Sequence, residues 1–516
     1  MDPLSDLRAA IGERARLERP PKPEFGDYST NAAMLRAPSE GKPPREVAGL
    51  LAEELRGQLG DDVEKIDIAG PGFLNLFMSD AWFRRMLATA HEQGDQFGRG
   101  GAGERVLVEF VSANPTGPMT VASARGAAIG DSLSRLLEFA GDDVEREYYI
   151  NDYGTQIRLF GESIRARARG EEPPEGGYQG EYVGELAAEI DGAAEMDPEE
   201  LAKLGVERMM ARVGATCERF RVHFDDFFSE RSLYGDGQAE AALERLHELG
   251  HVYEHEGATW LRTTDLGDDK DRVLVRSTGE KTYFASDIAY HEAKRARGFD
   301  RVINVWGADH HGHIKRMQAA WQVLGGPEGA LEILIMQLVN LTESGERARM
   351  SKRKGEFVTL DDLLDDIGVD AARYFLLQRS HDTTIDLDLE LAREQSNENP
   401  VYYCQYAHAR IASILKRVDG EPDAGAAVGE LHPSERMLIK KLLEFPEEIA
   451  FAAERRAPHR LTTYVHELAQ DFSAFYRDCK VAGTPEQPFR LALALQAQRV
   501  IAQCLGLLGV AAPQEM

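Results

Sequence analysis

Val106-Leu107-Val108-Glu109-Phe110-Val111 is an apolar, β-prone run with a single carboxylate in it. Ser112-Ala113-Asn114-Pro115-Thr116-Gly117-Pro118 follows, and its proline, glycine and asparagine mark a loop. A helix is expected from near Val121 to Gly141, with Leu133, Leu136 and Leu137 on its apolar face. Val144 to Ile150 reads as a second strand. Strand, loop, helix and strand make a βαβ unit, which implies a parallel sheet. A helix N-terminus at the carboxyl end of a parallel strand presents unpaired N–H groups and a positive dipole end, so this corner suits an anion.

The same pattern returns further along. Arg301 to Trp306 reads as a strand, Ile314 to Leu324 as a helix and Leu331 to Leu338 as another strand. Residues 104–385 are therefore expected to form an α/β sheet domain. Residues 160–270, charged and mostly helical in pattern, read as an insertion into it. Residues 1–95 read as a small α+β module, with a helix from Pro44 to Leu59 and strands at Lys65–Ala69 and Phe73–Phe77. Four glycines between Gly98 and Gly103 suggest a linker. From Asp370 onward no strand pattern stands out. Amphipathic runs at Val401–Val418, Ser434–Leu443, Arg460–Tyr476 and Ala492–Leu508 predict an all-helical unit over 396–516.

With 516 residues, 43% of them apolar and 29% charged, the composition is that of a globular chain of about three domains. It argues against disordered, collagenous or fibrous proteins. No apolar run reaches the length of a membrane span, and the N-terminus shows no secretion signal. Cys217, Cys404, Cys479 and Cys504 form no Cys-x-x-Cys pair, so no zinc knuckle is expected, and a reducing cytoplasm fits. The net charge of −28 argues against a protein that coats nucleic acid non-specifically, though it leaves room for a local basic face.

One such stretch is Arg347-Ala348-Arg349-Met350-Ser351-Lys352-Arg353-Lys354-Gly355, with five basic residues and no acidic one. It reads either as a solvated basic loop or as a phosphate-binding loop. Met350-Ser351-Lys352 resembles the lysine-loop signature of class I aminoacyl-tRNA synthetases. Phe357 to Leu363, Gln378 to Thr384, Val108 to Pro118 and Tyr148-Tyr149-Ile150-Asn151-Asp152 are similar to the arginyl branch of that family. Phe25-Gly26-Asp27-Tyr28-Ser29-Thr30-Asn31 resembles its N-terminal module. Asn399 to Arg410 resembles the opening of its anticodon-binding helical domain.

The resemblance implies a class I nucleotide-binding parallel sheet, flanked by an N-terminal tRNA-binding module and a C-terminal helical domain. It implies ATP-dependent adenylation of arginine, with Mg²⁺ accompanying ATP as substrate complex, and transfer to an arginine-specific tRNA. No protein-bound metal and no membrane contact are expected, and the chain should be a cytoplasmic monomer. For arginine, Glu109, Asn114, Tyr283 and Asp287 are the candidates. Carboxylates suit a guanidinium, and Tyr283 and Asp287 lie four apart on one helix face. For ATP the candidates are Ala122, Asp309, His310, Met350, Ser351 and Lys352. Thr120, Ser123 and Lys352 would act on the phosphates. Tyr402, Tyr403 and Tyr406 could stack on unpaired bases beside Arg410, or they could simply pack the helix core.

One departure stands out. Members of the family carry His-x-Gly-His at the start of the first helix, where the imidazoles act on the ATP phosphates. Aligned through Pro118 and Ala124-Arg125-Gly126, this chain has Thr120-Val121-Ala122-Ser123. Losing one preorganised donor to a transition state costs about 10²–10³ in rate. A loss of roughly 10³ or more in adenylation is therefore expected. A second reading is a non-catalytic, synthetase-like tRNA-binding paralogue. More distant rivals are another class I synthetase and a small-molecule nucleotidyltransferase. The first would lack this N-terminal module, and the second would not need the helical C-terminal unit.

Overall fold

The run that opens the βαβ unit forms the middle strand, Arg105–Glu109, of a five-stranded parallel sheet. The computed structural model describes residues 4–12, 14–20, 22–347, 358–426 and 429–516. Across the sheet the strands run Leu331–Met336, Arg301–Gly307, Arg105–Glu109, Asp143–Ile150 and Asp226–Ser229, all parallel. Val106, Leu107 and Val108 are buried, as a strand covered on both faces requires. The helix Val121–Ala140 packs behind them. At Gly130 an added Cβ would lie 2.1 Å from the Phe110 ring, so glycine lets the helix approach the chain just beyond the central strand.

From Arg105–Glu109 the chain crosses to Asp143–Ile150 on one side, whereas Arg301–Gly307 leads through the helix Ile314–Val323 to Leu331–Met336 on the other. The two central strands therefore diverge in their connections. Their carboxyl ends mark the topological switch point, where parallel sheets place their ligands in a crevice.

The stretch 160–270 is not one helical insertion. The helices Thr155–Ala168, Glu181–Glu189 and Pro198–Arg219 form a crossover, and Asp226–Ser229 returns to the main sheet as its edge strand. Only then does a small antiparallel sheet follow, Val252–His255, Ala258–Leu261 and Arg272–Val275. The short edge strand Asp-Phe-Phe-Ser was hidden by its charged flanks. Ile385–Asp388, also unexpected, pairs in parallel with Val339–Glu343. The helices Pro400–Arg417, Pro433–Leu443, Arg460–Asp478 and Gln487–Leu507 match the expected amphipathic runs. Phe445–Glu454 adds one more.

The N-terminal module is a four-stranded antiparallel sheet of Leu17–Glu18, Tyr28–Thr30, Phe73–Met78 and Val63–Ala69. Asp27, in the Phe25–Asn31 motif, faces inward. Its carboxylate accepts from Met78 N at 2.8 Å, Arg436 Nη2 at 3.0 Å and Lys440 Nζ at 3.1 Å, so the motif fastens the module to the C-terminal helices.

Arg373 joins three regions. Fully buried, it donates to the carbonyls of Leu508 at 2.7 Å and Phe220 at 3.0 Å, to Ser132 Oγ at 3.1 Å and to the carboxylate of Asp131. Gly509, with φ +69°, lies so close that a Cβ would sit 2.1 Å from Arg373 Nε. Replacing Arg373→Leu leaves a buried carboxylate and several carbonyls short of partners. A loss of about 3–5 kcal/mol is expected, read as a lowered urea midpoint of the transition that includes the C-terminal helices.

Candidate active site

A polar row crosses the sheet just below the crevice. Asn304, Glu109, Glu147 and Asp226 are successive register partners on four neighbouring strands, so they project from one face. The helix Tyr283–Ala296 covers them. Its Lys294, fully buried, donates to Glu109 Oε2 at 2.6 Å and Asn304 Oδ1 at 2.9 Å, and lies 3.9 Å from Glu147. Tyr290 and Arg297 complete Glu147.

Because lysine only donates, every bond beyond it has a forced direction. Asn304 accepts through Oδ1 and so donates Nδ2 to His291 Nε2 at 2.7 Å. His291 then carries its proton on Nδ1 and donates it to the Asp287 carbonyl at 2.7 Å. Burial and Lys294 push the His291 pKa down to about 3, so the ring is neutral. On the other side, Ser112 Oγ donates to Glu109 Oε1 at 2.8 Å and accepts from Tyr149 N at 3.2 Å. Ser112 and Val111 hold φ +41° and +69°, a strained pair for residues with side chains, and the Asn151 amide bonded to the Ser112 carbonyl helps to hold it.

Glu109 is thus a buried carboxylate with both oxygens engaged. Asp287 differs: it is half-buried, and its carboxylate has no hydrogen bond or ion pair among the described residues. Burial and the nearby Glu109 raise its pKa to about 6. Glu230 was not anticipated. It is buried at the first position of the helix Glu230–Gly235, and its carboxylate is likewise unpartnered among the described residues. Burial, with Asp287 and Asp152 nearby, raises its pKa to about 7. Tyr149, also missed, packs against Tyr290, their rings tilted by 39° and 4.4 Å apart, beside these acids. Glu230 escaped notice because it follows the unrecognised edge strand; a carboxylate at the carboxyl end of a parallel strand was the signal available.

Tyr283 opens its helix and is 76% exposed, one turn above Asp287. Asn114 is exposed at the lip of the loop. Thr120 and Ser123 are half-buried and Ala122 is exposed at the start of Val121–Ala140. Thr120 forms a β-bridge with Thr359: Val121 N donates to Val358 O at 3.2 Å, and Leu360 N donates to Met119 O at 2.8 Å. Met350, Ser351 and Lys352 lie outside the described residues. Asp309 and His310 are exposed on the turn Ala308–His313, with His310 Nδ1 2.9 Å from Asp309 Oδ1 and its ring 5.8 Å from Trp306.

In the C-terminal helices, Tyr402 and Tyr406 lie with their rings nearly parallel, 6.2 Å apart. The Arg410 guanidinium lies over Tyr406 at 4.5 Å and Tyr476 at 5.3 Å. Tyr403 is different: its hydroxyl donates to Ser473 and its ring packs on His466, so it belongs to the helix packing. All four cysteines are buried as free thiols. Glu145, Glu147 and Asp226 approach one another closely enough for a cation, but Arg297 already donates to the first two. No helix among the described residues is long and apolar enough to cross a membrane.

Three family models match the chain in order. They are the arginyl tRNA synthetase N terminal domain over residues 3–78, the catalytic domain of tRNA synthetases class I (R) over 87–172 and 192–413, and the DALR anticodon binding domain over 404–516. An arginine–tRNA ligase of Bacillus subtilis (strain 168) is 46% identical, covering 99% of this chain and 97% of its own. One from Geobacter sp. (strain M21) is also 46% identical, covering 97% and 94%. The Thermus thermophilus arginyl-tRNA synthetase superposes with a TM-score of 0.79 at 25% identity, over 99% of both chains. The Plasmodium falciparum enzyme shares the fold, with a TM-score of 0.78 at 17% identity over 100% and 98%. An unbroken match from the N-terminal module to the last helix, around a crevice with unpaired carboxylates, places this chain in the arginyl-tRNA synthetase family of class I.

Proposed function

We propose that the chain is an arginine–tRNA ligase whose crevice reads the guanidinium with Asp287 and Glu230. The observation that carries this assignment is the pair of unpartnered carboxylates. Each costs the empty protein free energy when ionised in a partly dry site, and a guanidinium, with five fixed donors, is the cation that can serve both. Glu109, held by Lys294 and Ser112, keeps spare lone pairs for a donor on the ligand, and Asn114 and Tyr283 at the lip lie where the α-amino end and the guanidinium enter. ATP, as its Mg²⁺ complex, occupies the crevice between Ala122 and the Asp309–His310 turn, with Met350, Ser351 and Lys352 reaching its phosphates. The arginine carboxylate attacks the α-phosphorus, pyrophosphate leaves with the bonding pair, and the arginyl group passes to the 3′ end of tRNA. Tyr402, Tyr406 and Arg410 form a stacking ladder for an unpaired base of the arginine tRNA. A monomer working in the cytoplasm meets these requirements.

The decisive experiment is ATP–pyrophosphate exchange, with each amino acid in turn and with or without tRNA. Arginine alone should support exchange, and tRNA should be required. Exchange driven equally by lysine would remove the assignment.

Asp287→Ala should weaken arginine binding by roughly 2–5 kcal/mol, because a guanidinium loses a charged partner. Arginine affinity unchanged by calorimetry would take Asp287 out of the site.

The raised carboxyl pKa values give a pH signature. Groups near 6 and 7 are protonated in the empty site at low pH, so arginine affinity should fall as pH drops from 8 to 5.5. A folded-state pKa above the unfolded value adds stability at low pH that is lost as pH rises through the folded value. Glu230→Gln should therefore stabilise the empty protein at pH 8, shown by a higher Tm, while weakening arginine.

For tRNA, Tyr406→Ala and Arg410→Ala should each cost about 1–3 kcal/mol if a base stacks there. Binding, measured by filter retention, should weaken as salt rises.

A further inference from the structure

We propose that Arg316, assisted by His313, supplies the donors to the reacting α-phosphate that the Thr120–Ser123 corner lacks. This rests on the ligase assignment above and extends it to the residue that replaces the missing imidazoles.

Arg316 lies in the first turn of the helix Ile314–Val323, which follows the central strand next to Arg105–Glu109. The crevice has two walls at this switch point. One is the start of Val121–Ala140, now without imidazoles; the other is the Ala308–His313 turn and the helix after it.

The Arg316 guanidinium is held over the Phe284 ring at 5.6 Å. Its Nε is buried without a hydrogen-bond partner, and among the described residues it makes no hydrogen bond or ion pair. The charges facing it explain why. Asp268 accepts from Arg272 Nε at 2.8 Å and Nη2 at 2.9 Å, and Asp269 is paired to the same guanidinium. Asp287, close enough to influence Arg316, is not within ion-pair distance. His313, half-buried three residues before, has its ring 5.4 Å from His310 and is kept neutral by burial and by Arg316, His310 and Arg272. A buried donor with no acceptor, its neighbours Asp268 and Asp269 already held by Arg272, is open to an incoming anion.

The reaction brings one to the edge of Asp287. With its guanidinium on the acids, arginine directs its carboxylate along the crevice. One carboxylate oxygen bonds to the α-phosphorus, the bond from α-phosphorus to the bridging oxygen breaks, and pyrophosphate carries off the electron pair. Negative charge builds on the non-bridging oxygens of the five-coordinate phosphorus. A guanidinium fork suits those oxygens bidentately.

The test is a double cycle in arginine- and tRNA-dependent pyrophosphate exchange. One axis is Arg316→Met, with Arg316→Lys as the conservative variant and His313→Asn beside it. The other restores the corner with Thr120→His, Ala122→Gly and Ser123→His together. If Arg316 replaces the imidazoles, the unmodified chain exchanges robustly and the restored corner raises kcat less than tenfold. Arg316→Met then lowers kcat by 10² or more in the unmodified chain and by less than tenfold in the restored one. Arg316→Lys recovers part of the loss. A gain of 10² or more on restoring the corner alone would overturn the proposal while leaving the ligase assignment intact. So would an equal loss from Arg316→Met in both backgrounds, which is what a structural role gives. No exchange in any variant, restored ones included, would overturn the assignment itself.

Discussion

The site is built around one buried cation. Lys294 enters from the helix Tyr283–Ala296 and meets three neighbouring strands at Asn304, Glu109 and Glu147. An ammonium with no water must find acceptors on all sides, and breaking such a pair typically costs about 3–5 kcal/mol. That requirement ties the covering helix to the central strands at a single height. It also sets Glu109, the His291 tautomer and, through His291, the backbone at Asp287. The floor of the proposed arginine site is therefore fixed before any ligand arrives, which is the condition for electrostatic catalysis without reorganisation.

Above that floor stand charges without partners. Asp287 and Glu230 are both unpaired among the described residues, with pKa values lifted by burial. Arg316 lies over Phe284, with Asp268 and Asp269 already held by Arg272. In the reading proposed above, these groups orient a substrate with a cation at one end and an anion at the other. The empty protein bears unpaired charge for it, a trade of stability for function.

Much of this was legible in the sequence, and the unread parts have physical reasons. The central strands announced themselves because a strand buried on both faces must be apolar throughout. Glu109 stood out as the exception within one. The amphipathic C-terminal helices were plain from their period. The edge strand Asp226–Ser229 was not, because four residues at a sheet border carry too little pattern against charged flanks, and Glu230 vanished with it. Lys294 and Arg316 look like ordinary helix cations in sequence. Only the register of three strands shows that the first is buried among acceptors, and only the pairing of Arg272 shows that the second has none. The Phe25–Asn31 motif marked the N-terminal module by resemblance, and only the structure shows that Asp27 serves an interior junction with Arg436 and Lys440.

The bridge between Thr120 and Thr359 has a bearing on how such a protein can change over time. Its two bonds run between peptide groups, Val121 to Val358 and Leu360 to Met119. This stitch is therefore indifferent to which side chains stand at 120, 122 and 123. This bridge places no demand on the side chains at those positions, so selection there is freer to act on chemistry. A lineage could exchange imidazoles for hydroxyls at that corner without disturbing the scaffold, provided another group had taken over the charge.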